Sequence, residues 1–565
     1  MRTRSSLPVL GLLTGSLVFL AAAGADRLSE RERAIHALDR LAFGPRPGDV
    51  DRVAAMGTDR WIDAQLHPER VAEDPTLEAR LPGRDVLSLS TAELIERFDT
   101  PVREARKKAA AEAADKARAG DAPETGGGDD TGAAARVRAM VPPENRPGRL
   151  LADLTAARIV RAADSSRQLQ EVLVDFWMNH FNVYARKGLD RVAIVAFERD
   201  TIRPRIFGRF EDLLLATAKS PAMLVYLDNA RSAAEASNRP PVRGRGAFAG
   251  AGAKTKGPTG LNENYARELL ELHTMGVDGG YTQSDVTELA RVLTGWSVGA
   301  PRTERTGGVV RASRRSPEAL AAPGEFVFRE RLHDVGEKTV LGRRFPAGGG
   351  MGEGEAAIRM LARNPSTARH LARELCQRLV SDAPPEALVE RVAARFLATN
   401  GDLREIVRAV VESPEFFDPA AFRAKVKSPF EYAVSAVRAL GSETDGRGIA
   451  RAIEEMGEPL YLCVPPTGYP EAAEDWTSSG ALLARMNFAL SATRGAIPGT
   501  SAPALAPPDG GDLLGALEGK IVPAGLSEAS RDAIRSRLSQ APSDPAAKRA
   551  LTEALLVGSP EFQRQ

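Results

Sequence analysis

Cysteine, histidine and aromatic residues are scarce in this chain. Its 565 residues hold two cysteines and six histidines, and aromatics make up 5%. Neither sign of charge is in excess, since 76 Lys+Arg stand against 75 Asp+Glu for a formal net charge of +1. A nucleic-acid binder normally carries a strong basic excess, so that class is not expected. So few rings also argue against large base- or sugar-stacking platforms. There is no CxxC or CxxCH, which removes thioredoxin-type redox chemistry and covalent haem. HExxH, GxSxG, a P-loop and a Rossmann fingerprint are missing too. Zincin, serine-hydrolase, flavin and nucleotide-dependent chemistry therefore lack support.

Long apolar runs are absent except at the start. Arg2 and Arg4 precede an apolar run from Leu7 to about Ala23, which closes on Ala23-Gly24-Ala25. This is the pattern of a secretory signal over residues 1–25, with cleavage before Asp26 and delivery to the periplasm or beyond. The competing reading is an uncleaved anchor. Thr14, Gly15 and Ser16 interrupt the run, which falls short of the ~20 residues a span requires. No later segment is apolar enough to cross a bilayer, so no membrane span is expected in the mature chain. Export permits a disulfide between Cys376 and Cys463. Two buried free thiols are the alternative.

What the chain does have is Ala, Leu and Arg at helical spacing. Ile35, Leu38, Leu41 and Ala42 predict a helix stopped by the turn GPRPGD, and a second helix starts at Asp49 and buries Val50, Val53 and Met56. RQLQEVLVDFWMNHFNVYARKG is apolar nearly all round and predicts a buried central helix. EFVFRE reads as a short strand pairing with TVLGRRF. The expected fold is mainly α: a large multi-helix orthogonal bundle over residues 26–495 with at most a short β-hairpin. Exposed insertions are expected near 101–140, 231–260 and 301–323, a Pro/Ala/Gly linker at 496–511, and a small helical tail at 512–565.

Three groups of residues carry chemistry. In NENYARELLELH, helical geometry puts Glu263, Asn264, Arg267, Glu268 and Glu271 on one face, with Tyr265, Leu269, Leu272 and His273 opposite. That face is either solvated, with Glu263, Arg267 and Glu271 pairing along it, or it lines a cleft and does acid/base or cation-binding work. In FWMNHF, His180 stands with Asp175 and Asn179 in an oily stretch, and each needs a polar partner across the interface. RLHDVGEKTVLG gathers His333, Asp334, Glu337 and Lys338 before a strand, either as a wet loop or as a metal or proton-transfer pair. Thr282 and Asp285 fit a capping box. The same stretch matches only the latter half of an EF-hand loop, because Thr274 and Gly276 occupy acidic-ligand positions.

Five stretches appear in this order: ALDRLAFGPRPGDV, DFWMNHFNV, NENYARELLELHTMGVDGGYTQSDVTELARVLTGW, HDVGEKTVLG and CVPPTGYPEAAEDWTSSGALLARMNFA. Over roughly residues 35–490 the chain resembles the bacterial family called domain of unknown function 1800 (DUF1800). The resemblance implies an exported, mainly helical protein without a settled activity. It also implies a companion as partner, the sulfatase-like domain of unknown function 1501. Its motifs fall on His180, Glu263, Asn264, Arg267, Glu268, Asp285, Trp296, His333 and Asp334. The segment PPTGYP departs from the commoner family wording.

These readings combine into two expectations. In the first, Glu263, Glu268, His180 and His333 converge as acid/base groups, or with Asp334 as ligands of a divalent metal. Arg267, Asn264 and Trp296 would then hold a glycan or a sulfo- or phospho-ester. In the second, the protein is a non-catalytic scaffold for the companion protein or an envelope polymer. Whether the chain is an enzyme stays open at the level of sequence.

Overall fold

The computed structural model describes residues 27–118, 130–240, 260–299, 322–505, 512–541 and 543–565. The expected leader at 1–25, the central parts of the three expected insertions, and residues 506–511 of the expected linker lie outside these residues. The chain is helical over most of its length, with two small antiparallel sheets among the described residues.

Local chemistry sets the helix starts. Ser29 caps α1 (Glu30–Arg40) in a full capping box with Glu32, as Thr282 and Asp285 do for the helix Gln283–Val292. Ile35, Leu38, Leu41 and Ala42 are all buried, as their spacing predicts. In the helix Asp49–Met56, Val50 and Val53 are buried but Met56 is exposed, because the helix ends there on Gly57. Two further helices, α2 (Thr100–Arg118) and α3 (Asp130–Met140), form a pair on the outside of the bundle, held by a small cluster of Val102, Ala105 and Val141.

The centre is built on α4 (Pro147–Asp164) and α5 (Gln168–His180), which pack on each other. All residues of α5 but Gln170, Asn179 and His180 are buried, so it is the central helix that its composition predicts. Its acids are paired. Asp175 accepts from Arg158 at 2.5 Å and from Arg378 at 2.8 Å, and Arg203 grips Glu171 at 2.6 Å and Glu198 at 3.0 Å. Burying ions is costly unless each finds a partner, and this lattice supplies the partners.

Around the centre lie α6 (Asn264–Leu270), α7 (Gln283–Val292), α8 (Met351–Ala362) and α9 (Pro365–Leu379). Then follow α10 (Pro429–Ala439), α11 (Arg447–Glu455), α12 (Ser479–Thr493) and α13 (Pro545–Val557). Helix α13 packs on α12, and Leu514, Leu517, Ile521, Val557 and Phe562 join the main core. One face of the segment expected as a tail thus packs on the bundle.

The strands correct one expectation. EFVFRE does not pair with TVLGRRF. Instead β1 (Trp296–Val298) pairs with β2 (Phe326–Phe328), and β3 (Lys338–Val340) forms a hairpin with β4 (Arg343–Phe345). Leu341 and Gly342, at φ of 49° and 74°, turn that hairpin over two residues, so TVLGRRF pairs within itself. Trp296 and Phe326 meet edge to face at 5.2 Å and seal the first pair.

Cys376 and Cys463 are both buried free thiols, the second of the two alternatives their sequence leaves open. Cys376 packs into the main core from α9, whereas the Cys463 thiol faces the carbonyl of Pro465. Burial pushes the first thiol up to about 12 and the second up to about 11.

His36 in α1 is enclosed by the rings of Phe416, Phe417 and Phe422. Burial pushes its imidazole down to about 3, and the charge of Arg40 adds to the effect. The unfolded chain protonates this histidine near 6.5, well above the folded value. Its contribution to stability is therefore present above that pH and is lost as pH falls from 6.5 toward 3. At about 1.4 kcal/mol per pH unit, His36→Leu is expected to lose about 3 kcal/mol less than the wild type between pH 6.5 and 4. Urea unfolding across that range measures the difference, and parallel curves would remove His36 as the sensor.

Candidate functional site

The polar face of α6 bonds to the next helix. Glu263 accepts from Gln283 at 2.8 Å and from Thr287 at 2.7 Å, and Arg267 donates to Gln283 at 2.9 Å. Both partners lie on α7, so the face clamps two successive helices. Of the expected intrahelical pairs, Glu263 and Arg267 approach to 3.6 Å, while Glu271 takes the hydroxyl of Tyr281 at 3.2 Å. Asn264 uses its backbone N–H on the Asn262 side chain at 2.9 Å. Glu268 is half-buried. Burial raises its carboxyl above the usual range, Glu271 adds repulsion, and Arg267 opposes both. Beyond α6 the backbone widens into a π-turn, Glu271–Met275, that carries His273 into the core.

His333 and Asp334 belong to a separate, closed knot. His333 Nδ1 donates to the Thr294 carbonyl at 2.8 Å. Its Nε2 lies 2.8 Å from Glu353 Oε1 but off the line of a hydrogen bond. Lys338 reaches the same oxygen at 2.5 Å and also donates to the Asp334 carbonyl. The Asp334 carboxylate takes Arg291 at 3.0 and 3.1 Å. Burial opposes ionisation of Asp334, but Arg291 and the Gly336 N–H outweigh it and hold the carboxyl below the usual range. With His333, Lys338 and Glu353 all buried, the knot fastens β3 to α8 and α7. Trp296 is fully buried beside it, so close to Gly354 that a Cβ there would lie 2.5 Å from the indole. Its ring offers no surface to a ligand.

The expected convergence of His180, Glu263, Glu268 and His333 is thus corrected. Their partners lie on different elements, since Glu263 bonds to α7, His180 meets Glu374 on α9 and His333 lies against Glu353 on α8. Among the described residues no three His, Cys, Asp or Glu side chains are placed to hold a metal ion, so the set His180, Glu263, Glu268, His333 and Asp334 does not fit one.

His180 has different company. At the end of α5 its Nδ1 lies 2.7 Å from Glu374 Oε2 on α9. The other carboxylate oxygen faces His370 at 3.4 Å, and His370 Nε2 also donates to the Leu272 carbonyl at 3.2 Å. His180 Nε2 points at the His273 carbonyl, 3.4 Å away. Each ring nitrogen of His180 thus faces an acceptor. Three imidazoles meet here, with His180 6.2 Å from the His273 ring and 6.4 Å from the His370 ring. Burial drives the His273 imidazole well below its ordinary value, and its two neighbours reinforce that.

A cavity of about 280 Å³ opens beside this group. Asn179, Gln377, Thr467 and Tyr469 supply its neutral polar wall, Phe176 an apolar one, and Glu374, Asp382 and Glu471 the acids. The PPTGYP loop is one side of it. Asn179 pins that loop by accepting from the Tyr469 N–H at 2.7 Å and donating to the Tyr469 carbonyl at 2.8 Å. Gly468 sits between them at a φ of 72°, where a Cβ would lie 2.5 Å from Asn179 Oδ1. Behind the wall, Lys425 holds Asp382 at 2.5 Å and Arg378 approaches Glu471 at 3.4 Å.

The acids are held in opposite senses. For Glu374, burial works against ionisation, but His180 and His370 outweigh it and keep the carboxyl below the usual range. For Glu471, burial lifts the carboxyl above the usual range, and Glu431 and Asp175 assist against Arg378 and Lys425. His370 and Glu374, i and i+4 on α9, escape sequence reasoning. RHLARELCQ reads as an ordinary amphipathic helix, and only the i,i+4 spacing of an imidazole and a carboxylate could have marked it.

Fold and site together define a mainly helical protein with a histidine–carboxylate group set at a polar cavity. The chain belongs to the family described as protein of unknown function (DUF1800), whose model matches residues 36–564. That match covers the C-terminal helices as well as the bundle. No curated protein and no solved structure gives a significant match to the chain.

Proposed function

We propose that the His180–Glu374 cavity is the active centre of an acid/base enzyme acting on a neutral, hydroxyl-rich substrate of the glycan class. The carrying observation is that two carboxyls line one cavity with their acidities displaced in opposite senses: Glu374 is held below the usual range beside His180, and Glu471 is raised above it by burial. Environments that push paired carboxyls apart are how one site runs proton donation and acceptance together. Glu374 serves as base toward an attacking water, with His180 Nδ1 holding it in place. Glu471 serves as the acid that protonates the leaving oxygen. Glu374 and Asp382 on the wall disfavour an anionic sulfo- or phospho-ester, while Asn179, Gln377, Thr467 and Tyr469 suit hydroxyl groups. The leader pattern of residues 1–25 is what supports placing this chemistry outside the cytoplasm.

Neutral tetrasaccharides (β-1,4 and α-1,4 glucose, β-1,4 N-acetylglucosamine) and a sulfated disaccharide are the probes, with binding read by calorimetry and cleavage by released reducing ends. At least one neutral sugar is expected to bind and be cleaved. Glu374→Gln and Glu471→Gln are each expected to cut the rate by 10²–10⁴-fold with binding retained, the usual range for one acid or base. The rate should be bell-shaped in pH, and Glu471→Gln should remove the alkaline limb. Preference for the sulfated probe, or full activity in both variants, contradicts the proposal. Binding without cleavage favours the scaffold reading.

A further inference from the structure

We infer that the groove between the outer pair α2–α3 and the helices α4 and α11 binds a single-tailed lipid with a phosphate head. The groove measures about 1180 Å³, somewhat larger than the ~300–1,000 Å³ of ordinary organic-ligand pockets. Its lining holds nine arginines and one acid, Glu454, although the whole chain has a formal net charge of only +1. Part of that charge is spent. Arg447 pairs with Asp153 at 2.5 Å and Arg451 with Glu455 at 2.9 Å. Arg106, Arg138 and Arg186 are exposed, and their guanidinium groups have no ion-pair or hydrogen-bond partner among the described residues. Like charges gather here at a cost: burial lowers the Arg191 guanidinium, and Arg106 and Arg103 lower it further against Asp99.

The walls are of the other kind. Ala109, Ala113, Ala134, Val137, Leu151 and Leu462 face the gap. Small residues on α2 and α3 leave it unfilled, since the pair itself buries only Val102, Ala105 and Val141 together. An aliphatic tail gains from such walls by leaving water. Unpartnered guanidiniums gain from a phosphate, which they meet with two parallel hydrogen bonds. A polyanion would use the arginines and leave the walls wet, and a neutral detergent would do the reverse. The charge and the apolar lining together select a ligand having both parts.

Lysophosphatidic acid tests this, below its micelle concentration, against lysophosphatidylcholine of the same tail and against glycerol 3-phosphate, which lacks a tail. The full chain is expected to bind the first at least tenfold more tightly than either control, with affinity falling as salt rises. The triple change Arg106→Glu, Arg138→Glu, Arg186→Glu should weaken binding tenfold or more, while circular dichroism and the urea midpoint stay unchanged. Ala134→Trp alters no charge and fills the groove, so it should weaken binding too and guards against a folding defect in the triple variant. Equal binding of lysophosphatidylcholine reduces the site to an apolar gap. Equal binding of glycerol 3-phosphate reduces it to a cationic patch. Either result, or unchanged binding in both variants, overturns the inference.

Discussion

Replacing Arg378 with methionine lowers the unfolding free energy by about 3–5 kcal/mol, the usual cost of removing one partner from a buried ion pair. Arg378 is 6% exposed and reaches three carboxylates: Asp175 at 2.8 Å, Glu431 at 2.9 Å and Glu471 at 3.4 Å. Methionine fills much of the same space, so the loss is of charge pairing more than of volume. Asp175 retains Arg158 at 2.5 Å, and Glu431 retains the Ser428 N–H at 2.8 Å, which keeps the cost below that of three orphaned ions. Arg378→Lys is expected to fall between, because an ammonium cannot fork across three acceptors as a guanidinium does. Urea unfolding at pH 7 measures both. A loss under about 1 kcal/mol for the methionine variant would show that the lattice is neutral to stability, as some buried ion clusters are. The same variant removes the cation that restrains Glu471, so any cleavage activity should extend to higher pH.

Glu458→Gln has the second large effect, and it depends on pH. Glu458 is buried, with Oε2 accepting the Phe430 N–H at 2.7 Å. Burial raises its carboxyl to about 8, Asp175 and Glu431 add repulsion, and hydrogen bonds from Phe430 and Ser428 only partly offset this. The unfolded chain titrates this group near 4.3, below the folded value. The folded state therefore gains from the neutral acid at low pH, and that gain drains away as pH rises from about 4.3 through about 8. Glutamine keeps an acceptor for Phe430 and does not titrate. Its stability relative to the wild type should climb by about 1.4 kcal/mol per pH unit across that window. Unfolding curves at pH 5, 6.5 and 8 test the slope, and a constant difference would refute it.

Helices were legible because their signals are local. The oily run around Trp177, the alternation Ile35–Leu38–Leu41 and the Thr282–Asp285 box each state a burial or a cap within a few residues. The strand partners were not, since three residues carry too little periodicity and β1 meets β2 across an intervening insertion. The site was half legible. His180 was visible as a polar group in an apolar helix, but Glu374 lies 194 positions away and looks like any solvated glutamate. The glutamates of α6 drew attention for the opposite reason. Their density is local, whereas the bonds to Gln283 and Thr287 that absorb Glu263 belong to the next helix. Buried pairing between distant segments is what a linear reading misses, and both the ion lattice of α5 and the true neighbour of His180 are of that kind.

The two sheltered sulfurs give the chain a built-in clock. Alkylating reagents attack the thiolate, and with their acidities set near 12 and 11 neither Cys376 nor Cys463 supplies much of it at neutral pH. Any labelling in native buffer therefore times the opening of the surrounding segment. One sulfur reports on the interior around α9, the other on the loop leading to Gly468, so mass spectrometry of the labelled peptides separates a breathing cavity rim from global collapse.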